Sequence, residues 1–537
     1  MSSKLMRGTF ILTLGTYISK ILGLIYIIPF FALVGEQGVT LYGYGYVPYT
    51  IFISIATAGV PLAVSKFIAK YNALEEYAVG RKLFKSGLGV MLLTGIGSFL
   101  ILYSIAPIIS DIIISDEDSL SKPEEVASVI RAVSFALIVV PFMSLIRGFF
   151  QGHQSMGPSA VSQVIEQIVR IIFLLAGAFV VIHIMNGNIV NAVKVATFAA
   201  FIGAIASLFV LIWYWFKRRP YLNELLKHDK GTVQISLKEI YKEIFISAIP
   251  FIIVGIANPL FQLVDMLTFE KALTIATGNA KEAHIAFGVL NFNSHKLVMI
   301  PVSLAIAFSL TLVPLITKAY TSENRKELNL QLNQTFQVLM FLTLPAALGI
   351  SILAEPFYTM FYSYSPFGTE VLATYAPVAI LFALFSVTAA ILQGINEQKF
   401  TIFSLLLGLL IKLILNIPFI DMFHTKGAIY ATVVGYSVTI LINLMVIRYY
   451  ANYHYKLVFR RGILIIIFNL IMAAVVFLCY KFTTLFLSTE SSIQSLIIIL
   501  ICAFVGAGIY FYLSYKTKLL SFLFPSQMKG LSRRLSR

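Results

Sequence analysis

The sequence predicts an all-α protein that crosses a membrane many times. Of its 537 residues, 59% are hydrophobic and 12% are charged, which leaves too few polar side chains to cover a soluble protein of this length. Apolar runs longer than the roughly 20 residues that a membrane-spanning helix needs recur from one end of the chain to the other. The alternating segments of about 10 residues that would indicate a membrane β-barrel do not occur.

Fourteen helices are predicted to span the membrane. The first apolar run is too long for the core of a signal peptide and is not followed by a small-residue cleavage site, so we expect it to be retained. Polar breaks set the bounds of the other helices. The predicted spans are 8–34, 42–71, 82–110, 124–150, 156–183, 190–216, 240–269, 283–318, 327–354, 370–394, 399–420, 427–449, 462–483 and 491–516.

The distribution of Lys and Arg supports this count. With both termini in the cytoplasm, 28 of the 40 basic residues fall on the cytoplasmic side, 5 fall outside and 7 lie within the spans. Membrane proteins concentrate positive charge in their cytoplasmic loops, and one miscounted helix would scramble the alternation. We therefore predict fourteen spans with both termini cytoplasmic.

The predicted helices form two lobes of six, followed by two further helices. Gln151-Gly152 closes the fourth helix and Gln393-Gly394 closes the tenth, and a basic residue follows each glutamine after 19 positions. Because six is even, the lobes share one orientation, and the pseudo-two-fold axis relating them runs along the membrane normal. The predicted domains are an N-lobe at 1–217, a cytoplasmic linker at 218–239, a C-lobe at 240–450, the last two helices within 451–517 and a basic cytoplasmic tail at 518–537. That tail suits either an amphipathic segment on the inner leaflet or an unstructured chain.

Prolines interrupt corresponding helices of the two lobes. Interruptions by Gly or Pro at matching places in two halves are a sequence indicator of a transport site, although proline is also common in membrane helices generally. The first two helices carry Pro29, Pro48 and Pro61, and the seventh and eighth carry Pro250, Pro259, Pro301 and Pro314.

Basic residues within the spans are the main indication of chemistry. A charge at bilayer depth costs at least about 2.5–3.5 kcal/mol, so it is rarely placed there without a partner, a watery cavity or a function. Only Glu166, Asp265 and Glu270 are acids at comparable depth. This surplus of positive charge predicts a protein that handles an anion. The seven basic residues are Lys20, Lys66, Arg131, Arg170, Lys194, Lys296 and Lys412.

Lys20 and Lys296 are the leading candidates for substrate binding. Both fall near the middle of proline-broken helices, too deep to reach a membrane surface easily. We expect them to line a central cavity and to hold a phosphate-bearing group as point charges. The alternative is that each is neutralised by Asp265 or by a backbone carbonyl. His295 faces either the same cavity or the opposite side of its helix.

Arg170 and Lys412 occupy matching positions in the two lobes. Glu166 lies four residues before Arg170 on the same helix, so a structural ion pair is expected there. Lys412 has no such acid, and Asn416 is the polar residue one turn further on. Both basic residues are kept as candidate substrate contacts. Lys66 either reaches the inner surface or lines an inner mouth, and this choice stays open.

The other charged residues are expected to be structural. Arg131 and Lys194 lie near the outer ends of their helices and can reach the interface. Arg147 is expected to cap an inner loop with Gln151 and His153. The acidic residues at 116–118 look like a solvated turn.

Several classes of function are excluded or disfavoured. The chain has no GxxxxGK[ST] loop for a nucleotide and no HExxH metal site, so we expect neither an ATP-driven pump, an enzyme nor a cofactor. The two cysteines have no metal-type spacing. The net charge of +16 sits in short loops, which argues against binding to nucleic acid. The last two helices look like lipid-facing additions or a wall along which an acyl chain could lie.

Two segments resemble a known family. Ser19-Lys20-Ile21-Leu22-Gly23 with Phe67-Ile68-Ala69-Lys70-Tyr71 resembles the opening of the MurJ-like lipid II flippases, of the multidrug/oligosaccharidyl-lipid/polysaccharide exporter superfamily. The segment Leu145–Gly152 looks closer to the sporulation stage V protein B and polysaccharide-biosynthesis branch. The resemblance extends over the whole chain in helix count, lobes and C-terminal pair.

This resemblance implies a V-shaped cavity, alternating access and outward movement of a polyprenyl-pyrophosphate-linked saccharide across a bacterial plasma membrane. It implies that Lys20 takes the place of a basic cavity residue in an S-R-x-L-G pattern, and Lys296 that of a basic residue on the eighth helix. Where the pattern has an Arg-Asp pair, this chain has Tyr26-Ile27. Membrane lipids and cell-wall synthases are the partners it implies.

The sequence therefore predicts a flippase for lipid II or a related polysaccharide intermediate. The membrane potential or a monovalent cation would drive it without ATP. One alternative is a cation-coupled multidrug exporter of the same fold, which the shortage of buried acids disfavours. Another is a membrane glycosyltransferase acting on the same lipid substrate, for which no convincing outward carboxylate base is present.

Overall fold

A computed structural model describes residues 15–16, 18–57, 60–114, 120–233 and 235–523 of the chain. Throughout these ranges the regular structure is helical and no strand is found. The beginning of the first predicted helix, the acidic turn at 116–118 and the tail from 524 onward lie outside the described residues. By its internal contacts the chain divides into two compact units, Met1–Gly288 and Val289–Arg537.

The first unit contains ten described helices. A five-residue π-helical turn, Val180–Ile184, extends the seventh. The helices are α1 (Ile18–Ile25), α2 (Ile27–Thr57), α3 (Val60–Ala73), α4 (Tyr77–Ile113), α5 (Pro123–Ser134), α6 (Ala136–Gly152), α7 (Gly157–Phe179), α8 (Ile189–Lys227), α9 (Leu237–Thr277) and α10 (Ala280–Gly288).

The second unit opens with a π-helical turn, Val289–Ser294, which leads directly into the next helix. Its described helices are α11 (His295–Thr321), α12 (Arg325–Ile352), α13 (Ala354–Phe361), α14 (Pro366–Tyr375), α15 (Val378–Gly394), α16 (Gln398–Phe423), α17 (Thr425–Tyr450), α18 (Lys456–Thr483), α19 (Ser492–Lys516) and α20 (Leu519–Leu523).

Twelve helical segments of the described chain are long and apolar enough to cross a membrane, or thirteen if α1 and α2, bent by 42°, form one more span. The predicted number of fourteen is therefore not confirmed. The difference arises at the first two spans. Gly35, with φ +64° and ψ −169°, interrupts α2 just after the predicted end of the first span at residue 34. Such backbone angles are essentially restricted to glycine.

The core of the first unit lies where α3, α4, α6 and α8 meet. Phe84 stacks on Trp215 with 4.4 Å between ring centroids, and Phe149 packs against the same Phe84 ring at 4.4 Å. Gly148 brings α6 close to α3, because a Cβ at this position would lie 2.7 Å from the carbonyl oxygen of Pro61. Small residues at such crossings let membrane helices pack closely without a hydrophobic driving force.

The segment between α8 and α9 is bonded to the turn between α3 and α4. Asp229 accepts a hydrogen bond from the backbone N–H of Ala78 at 2.7 Å, and the Nζ of Lys230 lies 2.9 Å from a carboxylate oxygen of Glu75. Glu76, which is 1% exposed, accepts hydrogen bonds from both the backbone N–H and the hydroxyl of Thr232. We call residues 228–236 the linker latch, because these bonds fasten this segment to the turn between α3 and α4.

The last two long helices pack against α12 within the second unit. Phe341 and Tyr510 contact each other with 4.9 Å between centroids, and Tyr510 also donates a hydrogen bond to the carbonyl oxygen of Phe341 at 3.1 Å. Glu355 on α13 accepts bonds from Tyr480 at 2.7 Å and from Thr489 at 2.6 Å. The two helices predicted as lipid-facing additions therefore also pack against the rest of the second unit through aromatic contacts and hydrogen bonds.

Candidate functional site

Arg170 is the most distinctive intramembrane cation of the first unit. Its Nη2 atom donates hydrogen bonds to the hydroxyl of Tyr42 at 3.1 Å and to that of Tyr46 at 3.2 Å. The guanidinium also lies over the ring of Tyr46, 5.4 Å from its centroid. The two tyrosines are four residues apart on α2 and stack on each other at 5.5 Å. Arg170 is half-buried, and within the described chain no carboxylate forms an ion pair with it.

The predicted ion pair between Glu166 and Arg170 is wrong. Glu166 instead accepts from Nη2 of Arg147 on α6 at 2.7 Å. Arg147 also donates to Ser162 at 3.0 Å and to Ser207 at 2.8 Å, so its predicted role as a loop cap with Gln151 and His153 is wrong too. The reason is tertiary, because packing of α6 and α8 against α7 brings a second guanidinium to Glu166.

A close helix crossing supports this arrangement. A Cβ on Gly203 of α8 would lie 2.8 Å from the carbonyl oxygen of Glu166 and 2.9 Å from Cβ of Arg170. Only glycine lets α8 approach α7 at the turn that carries both charged residues. Arg170 is thereby held on the side of α7 that faces the tyrosines of α2.

Lys20 and Lys66 differ from Arg170 in being exposed. Lys20 lies on α1 and Lys66 on α3, and each has an exposed side chain. With respect to the part of the chain that is described, neither forms an ion pair or a hydrogen bond.

Lys296 follows directly after the π-helical turn of the second unit. Its Nζ lies 4.0 Å from the centroid of the Phe292 ring, a close cation–π contact, and the side chain is half-buried. The neighbouring His295 turns to Tyr375, with 2.9 Å between its Nδ1 and the tyrosine hydroxyl. The side chains of His295 and Lys296 thus point in different directions. Lys296 also follows a π-helical turn, and such turns are frequent at functional sites.

Lys412 is enclosed within the second unit. It is 0% exposed, and its ammonium donates to Thr432 at 2.6 Å and to the carbonyl oxygen of Ala428 at 3.1 Å, both on α17. Asn416, one turn further along α16, is also fully buried. The two cations predicted to occupy matching positions therefore have different surroundings, since Arg170 is half-buried and Lys412 is not exposed at all.

Two of the three intramembrane acids lie on α9. Asp265 and Glu270 are each 6% exposed and belong to the first unit. Glu270 accepts a hydrogen bond from the hydroxyl of Tyr44, and its other oxygen lies 3.2 Å from Nδ1 of His284 on α10. Glu270 is thus part of a buried polar network.

Sequence reasoning missed the tyrosines of α2. Tyr42, Tyr46 and Tyr49 follow a spacing of four and three residues, which puts their side chains on one face of the helix. Tyr44 lies on another face, where it stacks on Phe287 at 4.6 Å. The stripe of tyrosines at helical spacing is visible in the sequence, but its position beside Arg170 is not, because that depends on how α2 and α7 pack.

An apolar groove lies in the second unit. Its volume is roughly 400 Å³, and it is lined by residues of α11, α12, α13, α18 and α19. Almost every atom on its wall is apolar. The lining includes Pro301, Phe341, Gly349, Met472, Ala507 and Tyr510.

The described helices and their intramembrane cations define a multi-pass membrane protein. A family profile described as polysaccharide biosynthesis protein matches residues 5–320, and one described as MatE matches residues 284–417. The solved structure of lipid II flippase MurJ in an inward closed conformation superposes with a TM-score of 0.66 at 15% identity, covering 95% of this chain and all of that one. The fold is therefore the one that this flippase structure has.

Two curated relatives from Bacillus subtilis (strain 168) refine the assignment. Lipid II flippase MurJ is 47% identical over 99% of both chains. Stage V sporulation protein B is 23% identical over 76% of both chains. This protein belongs to the polysaccharide biosynthesis protein family and, within it, to the group of lipid II flippase MurJ. The resemblance predicted from the sequence is confirmed.

Proposed function

We propose that this protein moves lipid II, or a closely related pyrophosphate-linked saccharide lipid, from the inner to the outer leaflet of a bacterial plasma membrane. The single observation that carries the proposal is the 47% identity to lipid II flippase MurJ over essentially the whole chain. The surplus of intramembrane cations supports it, because a pyrophosphate headgroup is an anion. No reaction on the substrate is proposed, only its movement.

Arg170 is the residue of the first unit best suited to the headgroup. A guanidinium is planar and always charged, and its fork of donors matches the geometry of a phosphate. Tyr42 and Tyr46 occupy one nitrogen and fix the orientation of the group without cancelling its charge. A carboxylate partner would have cancelled it, which is why the pairing of Glu166 with Arg147 supports the proposal.

Lys20 and Lys296 are proposed as further headgroup contacts. Lys20 is exposed, and Lys296 is held by the face of Phe292. Lys66, also exposed, is proposed to attract the anion at the inner end of its helix. Lys412 and Asp265 stay predictions as substrate contacts, since their near-complete burial means that they meet the substrate only after a rearrangement.

The apolar groove suits the polyprenyl tail. It runs between α12 and the α18–α19 pair, so an alkyl chain lying there would contact almost only apolar atoms. Each methylene group removed from water contributes about 0.8 kcal/mol. The last two helices are therefore proposed to supply a tail site as well as a lipid-facing surface.

The membrane potential is the proposed source of energy. An inside-negative potential favours outward movement of an anion by about 2.3 kcal/mol per charge per 100 mV. The orientation with both termini in the cytoplasm, predicted from the 28 cytoplasmic basic residues, places the more basic loops where the substrate is made. Enzymes that make and polymerise the saccharide are the proposed partners.

Flipping by the full-length protein in proteoliposomes, measured with a fluorescent lipid II analogue, tests this function. Wild-type protein is expected to expose the analogue to an outside quencher faster than protein-free vesicles. A protein that left the analogue in place but exported a cationic dye would be a multidrug exporter. Release of the saccharide from its lipid would instead indicate a glycosyltransferase. Either outcome would overturn the proposal.

The same assay tests the headgroup contacts. Arg170→Ala is expected to lower the flipping rate about 10- to 100-fold, because a hydrogen bond to a charged group contributes about 1.5–3 kcal/mol. Arg131→Ala is the matched control, since Arg131 lies over the ring of Tyr103 at 5.0 Å and is not a proposed contact. Unchanged flipping by the Lys20→Ala, Lys296→Ala double variant would refute those two contacts.

A further inference from the structure

A second polar cluster of the first unit has no part in the headgroup site. It is centred on Glu270 of α9 and His284 of α10, which are 6% and 0% exposed. Nδ1 of His284 lies 3.2 Å from Oε1 of Glu270, while the hydroxyl of Tyr44 donates to Oε2. Nε2 of His284 lies 3.4 Å from the hydroxyl of Ser121, which is 1% exposed. We call these four residues the Glu270–His284 network.

Every polar atom of this network has a partner when it holds one proton. With an imidazolium, Nδ1–H donates to Glu270 and Nε2–H donates to Ser121, while Tyr44 supplies the second donor to the carboxylate. The Ser121 hydroxyl can accept or donate, so it also satisfies a neutral ring. Tyr44 is fixed by stacking on Phe287 at 4.6 Å.

Charge fixes the number of protons that the buried network prefers. With none, the acid and the imidazole together carry one negative charge, and with two they carry one positive charge. Only the state with one proton has no net charge. Because an unpaired charge in an apolar interior is costly, the intact network is expected to keep one proton over a wide range of pH.

The elements that surround the network carry other charged groups. On α2 Glu36 is half-buried, and on α9 Asp265 lies five residues before Glu270. The remaining charges are exposed or partly exposed. They are Lys122, Glu124, Glu125 and Arg131 in and just before α5, Lys238, Glu239, Lys242, Glu243 and Lys271 on α9, and Lys281 and Glu282 on α10. Asp116, Glu117 and Asp118 lie outside the described residues.

We propose that Glu270 and His284 form a proton-binding site that joins α2, α9 and α10 and makes their packing dependent on proton uptake. The ligand of this site is a proton, which is distinct from the lipid substrate of the proposed function. Chains of buried Glu and His in membrane proteins are typical of proton handling. This site would let a proton, as well as the membrane potential, bias the conformation of the first unit.

The pH dependence follows from comparing the intact network with one opened to water. In water a glutamate titrates near 4.3 and a histidine near 6.5, so the opened network holds two protons below about pH 4.3, one between about 4.3 and 6.5, and none above. An intact network that holds one proton, as we propose, is disfavoured about tenfold for each pH unit above about 6.5 and for each unit below about 4.3.

The test is the protonation state of the His284 ring. Full-length protein with ¹⁵N-labelled histidine rings is reconstituted in nanodiscs without substrate, and His284→Gln identifies the signal among the seven histidines. We expect the wild-type His284 signal to stay constant from pH 5.5 to 8.5. In Glu270→Gln it should change to that of a neutral ring, whereas the exposed Glu282→Gln control should match wild type.

Two results would overturn the proposal. One is a wild-type His284 ring that titrates near pH 6.5, since the ring would then be in contact with water. The other is a signal that responds to exchanging Na⁺ for K⁺ at fixed pH, since the site would then bind a metal cation. Because no lipid-linked saccharide is present, a failure here is separate from a failure of the proposed flippase function.

Discussion

At the scale of single residues, the structure divides the intramembrane charges into paired and available groups. Arg147 and Glu166 form an ion pair with side chains only 12% and 19% exposed. Arg170 is held by tyrosine hydroxyls, and Lys20 and Lys66 are exposed. Arg147 thus pairs with Glu166, while Arg170 on the next helix forms no ion pair with a carboxylate of the described chain. This separation lets a single region of the first unit be both stable and cationic.

Removing one member of the Arg147–Glu166 pair should destabilise the protein. Arg147→Met leaves the Glu166 carboxylate without its cation, so we expect a loss of about 3 kcal/mol in the free energy of unfolding. The measurement is the unfolding midpoint of the purified protein in detergent. The double variant Arg147→Met, Glu166→Leu should recover most of the loss. Equal destabilisation of the single and double variants would contradict a role for the pair itself.

At the scale of elements, two features connect parts that the sequence leaves separate. The linker latch fastens residues 228–236 to the turn between α3 and α4. The apolar groove depends on α18 and α19 packing against α12. The latch puts specific hydrogen bonds in a segment that composition alone would describe as a polar loop. The groove puts specific packing contacts on helices that composition alone would describe only as apolar spans.

The latch should weaken when Glu76 loses its charge. The hydroxyl of Thr232 donates to Glu76 and lowers the pKa of this carboxyl, so the latch is strongest above the ordinary glutamate value and is lost as the pH falls through the lowered pKa. We expect Glu76→Gln to accelerate trypsin cleavage after Lys230 several-fold at neutral pH. Glu243→Gln removes only an exposed pair with Lys70 outside the latch and should have little effect. Equal cleavage rates for both variants would show that the latch does not restrain the linker.

Filling the groove should slow flipping without affecting the headgroup contacts. Ala507 lines the groove, so Ala507→Phe would displace part of a bound tail. Losing two methylene contacts at about 0.8 kcal/mol each corresponds to a decrease of about tenfold in flipping rate. Gly508→Phe is the matched control, because the space around Gly508 is open and it is not part of the groove wall. A similar decrease in both variants would point to a general effect on α19.

At the scale of the whole molecule, the predicted orientation places 28 of the 40 basic residues on the cytoplasmic side. The described residues contain twelve or thirteen candidate spans, and an even number places both termini on the same side whereas thirteen places them on opposite sides. Gly35 is the decisive position, because it divides α2 into two helical runs. Sidedness of the loops therefore tests the predicted count as well as the orientation.

Labelling of single cysteines in intact cells measures this sidedness. Cys479 and Cys502 are first replaced by alanine, and a cysteine is placed at Lys227 in the loop after α8 or at Glu490 between α18 and α19. A membrane-impermeant maleimide should label position 490 in intact cells and position 227 only after lysis. The opposite pattern would contradict the predicted orientation, and labelling of both in intact cells would contradict the number of spans separating them.

The sequence by itself determined that this protein is helical, lies in a membrane and belongs with the lipid II flippases, because hydropathy, loop charge and local motifs are properties of contiguous residues. It also identified the intramembrane cations, including Arg170 and Lys296. Only the tertiary structure decided their partners. Glu166 is four residues from Arg170, yet it pairs with Arg147, which packing brings from another helix. Neither the tyrosines around Arg170 nor the network of Glu270 and His284 could be inferred from spacing along one helix, since each depends on which faces of distant helices meet.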